Sequence, residues 1–253
     1  MSVALTESID VAQVVLYAFW IFFAGLVFYL RREDRREGYP TEEDNPKILH
    51  PTGPILIPPG KTFRTLEGHV TTVPNSKRDT RPIDAERTSP ASGMPLRPTG
   101  DPLLSNSGPG SYAQREDAPE RTREGHVAIV PMRVAQGYAV DAGPDPRGGA
   151  VGAADGQVAG KVTDIWVDRA DALVRYLEVD LGAGGRRLLP ITMARLAAEP
   201  RQVQVHALKA GHFGNVPALK SPDQVTLLEE DRIGAYYAAG RLYAEPRRLG
   251  PVL

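Results

Sequence analysis

The chain has 253 residues, a formal net charge of −1 and no cysteine. A charge balance this even argues against nucleic-acid binding as the main task, and the missing thiols exclude disulfides, thiolate metal sites and cysteine nucleophiles. Mean hydropathy is −0.28 in spite of one long apolar run, so the remainder reads as a water-soluble domain.

Residues 1–10 read as a short tail outside the cytoplasm. Residues 11–30 then run for twenty positions without a charge. At about 1.5 Å per residue, a helix of that length spans roughly 30 Å, the thickness of a bilayer's hydrocarbon core. Gln13 is its only strongly polar side chain, and Tyr29 suits the membrane interface. The run stops at Arg31-Arg32-Glu33-Asp34-Arg35-Arg36, whereas residues 1–10 contain no lysine or arginine. The positive-inside rule therefore puts the C-terminal flank, and everything after it, in the cytoplasm. A cleaved signal peptide would begin with a basic stretch, but Met1 to Glu7 is acidic and no small-residue cleavage site follows Leu30. A buried globular helix would carry a polar face, and this segment has none.

Residues 38–125 hold 14 prolines and 9 glycines in 88 positions, which forbids long helices and central strands. Two readings stand: disorder, or an extended segment ordered against a partner's surface. Ile55-Leu56-Ile57 and Thr71-Thr72-Val73 favour the second.

From about Gly125 the pattern is that of a mostly β domain. Strands are predicted at Val127–Val130, Val158–Val167, Leu173–Leu181, Arg186–Ile191, Gln202–Ala207 and Val225–Leu228, with Ala139–Gly156 as loop. Gly182–Gly185 makes a hairpin turn, and a helix opens at Glu229-Glu230-Asp231 and runs to about Ala239. The expected fold is one N-terminal transmembrane helix followed by a small, mostly antiparallel β-barrel or sandwich closed by a helix.

Catalytic signatures do not emerge. Gly60-Lys61-Thr62 lacks the glycine that a phosphate-binding loop needs at position 55, which is Ile55. The histidines, at 50, 69, 126, 206 and 212, are scattered. One cluster stands out: Asp168 and Asp171 in a turn, Arg175, Glu178 and Asp180 just beyond, and Glu124-Gly125-His126 opening the domain. It reads either as a solvated charged turn or as a proton-collecting surface.

Several stretches carry a family resemblance. They are Tyr17–Leu30, Arg36–Pro40, Pro98–Pro102, Ala159–Asp168, Arg187–Pro190, Lys220–Pro222 and Val225–Asp231. Together they resemble the photosynthetic reaction centre H subunit of purple bacteria, over nearly the whole chain. That resemblance implies a single anchor over 11–30 and a segment over 31–125 packed on partner subunits. It also implies a cytoplasmic PRC-barrel domain over 126–253, in the inner (intracytoplasmic) membrane. It implies a non-enzymatic subunit that caps the L and M subunits, with membrane lipids and possible light-harvesting ring and cytochrome partners. Bacteriochlorophyll, bacteriopheophytin, quinones, non-haem iron and carotenoid are then held by L and M, not by this chain. It further implies that proton uptake to the secondary quinone passes through surface acids and histidines. His126 and Asp168 match such positions, and Asp171 stands where the family can carry glutamate. Glu124 replaces a possible second histidine, which argues against a histidine-pair metal site. Arg175 and Glu178 are supporting charges. A membrane-tethered PRC-barrel adaptor or sensor is the competing class.

Overall fold

The computed structural model describes residues 10–37, 41–42, 48–49, 55–66, 68–75, 79–90, 94–141, 143–197 and 202–248. Most of the N-terminal tail, Gly38–Pro40 and His50 lie outside them. The chain divides into two compact units, one of residues 1–80 with 91–93 and one of residues 81–90 with 94–253.

The first unit is built on α1, Val11–Glu33. Asp10 caps it, accepting from the Ala12 N–H at 2.9 Å. Gln13 is satisfied locally by donating to the Tyr17 hydroxyl at 2.7 Å. Phe19, Trp20 and Phe23 pack as an aromatic cluster with ring centroids 5.5–5.9 Å apart. None of the helix is buried within the chain, so an apolar surface of membrane-spanning length awaits lipid or protein. Past its end, the Arg35 guanidinium donates to the Ile55 carbonyl, and Arg36 to those of Pro59 (2.7 Å) and Val73 (3.3 Å). Two small antiparallel pairs complete the unit: β1 (Thr41–Glu42) with β2 (Ile48–Leu49), and β3 (Lys61–Arg64) with β4 (Val70–Val73).

The second unit begins with another exposed pair, β5 (Ala85–Arg87) and β6 (Leu96–Pro98). Its main sheet uses β7 (Ile129–Pro131), β8 (Ala150–Gly152), β9 (Val158–Asp168), β10 (Leu173–Asp180), β11 (Arg186–Pro190), β12 (Ala194–Ala197) and β13 (Gln202–Val205). The strand order is β11-β10-β9-β8-β13-β12, and β7 also pairs with β9. Gly160 is required where β9 runs close beside β10, because a Cβ there would run into the Asp180 carbonyl and the Val179 side chain. Trp166, Leu177, Val179, Leu188 and Leu189 fill the core, and α2 (Leu227–Tyr243) lays Ile233 and Tyr237 against it.

Several details differ from the sequence-based expectation. Among the described residues the sheet does not close; it is mostly antiparallel, as expected, with one parallel pair, β8 with β13. The predicted 139–156 loop contains β8, and β12 was not predicted. Val225–Leu228 is no strand: Thr226 caps α2, and Leu227 and Leu228 are its first turn. The helix consequently starts before Glu229 and ends beyond Ala239.

Candidate functional site

Glu124 and His126 sit on a tight exposed turn, closed by the Thr122 N–H donating to the His126 carbonyl at 2.7 Å and the Gly125 N–H to the Thr122 carbonyl at 2.9 Å. The Glu124 carboxyl is held below the usual range by the Thr122 side chain and by its own backbone N–H, and His126 adds to the effect. Asp168 and Asp171 occupy the turn between β9 and β10. The Asp168 Oδ1 accepts from the backbone N–H groups of Ala170 (2.9 Å) and Asp171 (3.4 Å), an Asx turn that the β9 end dictates. Ala172 completes the turn in the left-handed region, at φ +54°. Asp171 is exposed, whereas Asp168 is 3% exposed.

The structure brings these two turns together. β7 pairs with the end of β9 so that Ile129 faces Asp168. The Arg169 N–H donates to the Ala128 carbonyl at 2.8 Å, and the Arg169 guanidinium to the Val127 carbonyl, directly beside His126.

Behind Asp168 lies a second layer, of which sequence reasoning named Arg175 but missed the roles of Tyr176 and Glu230. The Arg175 Nε is 3.9 Å from Asp168 Oδ2, and the Arg175 Nη2 is 3.7 Å from Glu230 Oε1. The Tyr176 hydroxyl donates to that same Glu230 oxygen at 2.8 Å. Burial pushes the Glu230 carboxyl up, against the pull of the Tyr176 hydrogen bond and Arg175; Glu120 adds to the rise and Arg115 opposes it. In the sequence Glu230 is one of three acids favouring a helix start, and nothing local ties it to residues 175 and 176. Its contact across the domain was therefore invisible.

Glu178 belongs elsewhere. It is 3% exposed and accepts from Arg133 Nη1 (2.9 Å), Thr163 Oγ1 (2.9 Å), Arg186 Nη1 (3.2 Å) and Trp166 Nε1 (3.3 Å). Arg133 also reaches Asp164 at 3.1 Å and Asp223 at 3.0 Å. This network floors a cleft of about 620 Å³ whose acids face arginines. Among the described residues no group of three or more His, Asp or Glu side chains is placed to hold a metal ion.

Comparison with known families gives two matches. Residues 3–134, more than half the chain, match the photosynthetic reaction centre H-chain N-terminal region. Residues 140–211 match the PRC-barrel domain.

Proposed function

Since this chain belongs to the photosynthetic reaction centre H-chain family, we propose that it caps the L and M subunits of a purple bacterial reaction centre and assists proton uptake to their secondary quinone. The family is a structural subunit of a complex, and α1 supports a membrane-associated chain with a single span. In this reading, residues 31–125 pack on partner subunits and residues 126–253 form the cytoplasmic domain. The pigments, quinones, iron and carotenoid stay on L and M, and lipids surround α1. The arginines at 31, 32, 35 and 36, against none in residues 1–10, favour an N-terminus in the periplasm and an inner-membrane location.

One observation carries the proton role: the turn bearing Glu124 and His126 and the turn bearing Asp168 and Asp171 are pinned together through Arg169. A quinone becomes a quinol by taking protons as well as electrons, and a site under a protein cap cannot draw them directly from bulk water. Exposed Glu124, His126 and Asp171 collect protons at the rim, and the buried Asp168 passes them toward Arg175 and Glu230. A rim with several acceptors is redundant, so a single change does little.

The test is Asp168→Asn with Asp171→Asn, which keeps the turn's acceptor at 168. The proton-coupled second electron transfer should slow several-fold, while assembly and primary charge separation stay normal. Flash-induced kinetics across pH, with and without a small acid such as azide, read this directly; azide should restore the rate. Unchanged proton uptake in the double variant, and again after adding His126→Ala, would reduce the cluster to a solvated charged turn.

A further inference from the structure

Tyr176 and Glu230 meet from opposite parts of the domain, one on β10 and the other in the first turn of α2. The Tyr176 side chain is 7% exposed, and the Glu230 side chain 10%. Their 2.8 Å hydrogen bond therefore forms away from bulk water, where a donor to a carboxylate weighs more than at the surface. The phenol itself keeps its proton: burial and the Glu230 charge both drive its pKa upward. Any proton exchanged at this point belongs to Glu230.

The charges facing Glu230 come from several elements. β10 brings Arg175, the stretch before β7 brings Arg115 and Glu120, and α2 brings Asp231, itself 3.6 Å from Arg115. Asp168 joins through Arg175, which spans the two carboxylates.

We propose that the Tyr176 hydroxyl is a positioning donor that fixes the Glu230 carboxyl against Arg175 and sets the pH at which that carboxyl takes up a proton, making Glu230 an inner proton store behind Asp168. The store's use in uptake rests on the function proposed above; the Tyr176 control of Glu230 does not. The sign follows from which form the bond favours. A donor to the ionised carboxylate stabilises that form and holds the pKa down against burial. Without it, burial and Glu120 are less opposed, and Glu230 holds its proton to higher pH.

The experiment compares the intact complex with its Tyr176→Phe variant, which keeps the ring that fills the core. The infrared carbonyl band of protonated Glu230 is assigned by its loss in Glu230→Gln, then titrated. In Tyr176→Phe its midpoint should rise by about one pH unit, the equivalent of one charge-assisted hydrogen bond. Replacing Tyr176 with 3-fluorotyrosine, a stronger donor of nearly the same shape, should move the midpoint the other way. A midpoint that stays put in both overturns the proposal. Flash-induced proton uptake on the same samples separates the two claims. A moved midpoint with unaltered uptake keeps Tyr176 as positioning donor and removes the uptake role. Slowed uptake in the Asp168 and Asp171 double variant beside an unmoved midpoint overturns the Tyr176 assignment alone.

Discussion

Asp168 and Glu178 are both acids of one hairpin, and in the sequence they belong to one charged cluster. The fold separates them. Asp168 caps the turn and faces Arg175 at 3.9 Å, while Glu178 accepts from four donors. Residue types alone revealed that charge gathers here; which carboxylate is committed to packing depends on strand register and on Arg133, far away in sequence. A consequence is testable at Glu178. Glu178→Ala leaves the Trp166 N–H and part of Arg133 without an acceptor. Arg133 keeps Asp164 and Asp223, so the loss should be about 3 kcal/mol, the low end for breaking a buried ion pair. Denaturant unfolding followed by fluorescence of the fully buried Trp166 measures it. Glu178→Gln, which still accepts, should recover part of the loss. A deficit under about 1 kcal/mol, the range of an exposed pair, would mean that the neighbouring acids alone hold Arg133.

Elements were legible where a period or a glycine turn announced them, as in β9, β10 and β11. They were not legible where pairing supplies the strand. Ala150-Val151-Gly152 has one strong strand former and becomes β8 only because β9 and β13 flank it. The start of α2 is the opposite case. Val225-Thr226-Leu227-Leu228 reads as strand by propensity, yet Thr226 and Glu229 have the spacing of a capping box, and the box prevails. Thr226 Oγ1 accepts from the Glu229 N–H at 3.2 Å, and Glu229 Oε2 accepts from the Thr226 N–H at 2.9 Å. The Glu229 carboxylate also takes the Lys220 N–H at 2.8 Å, and Asp117 Oδ1 accepts from the Thr226 hydroxyl at 2.9 Å. The cap thus ties the helix start to two loops. Thr226→Ala should cost about 1–2 kcal/mol, the upper part of the range for losing an N-cap. Thr226→Ser should retain most of that. Chemical denaturation of the two variants decides it, and equal stability of alanine and parent would show that Glu229 alone holds the helix start.

At the scale of the whole chain, the anchor was readable because a bilayer sets a length and demands apolarity throughout. The long Pro/Gly-rich stretch was readable only as something unable to build a core. Its described parts bear out that limit: β3 and β4 form a lone two-stranded hairpin, with the four side chains of β3 exposed and Phe63 and Val70 uncovered. Arg36 and a Thr62–Thr72 hydroxyl contact at 2.8 Å brace it, but a solitary hairpin in water is marginal. We propose that a partner's surface supplies this order, here and at β5 and β6, which are short and mostly exposed. Hydrogen exchange on the complex and on the chain freed from its partners tests this. The paired amides of β3, β4, β5 and β6 should exchange about tenfold or more slower in the complex, since each factor of ten adds about 1.4 kcal/mol to local opening. The amides at the centre of β9 and β10, which sit in the chain's own core, serve as the internal control and should be equally protected in both samples. Equal protection of the hairpins with and without partners would mean that the chain orders them unaided, and the idea of a segment ordered by contact would fail.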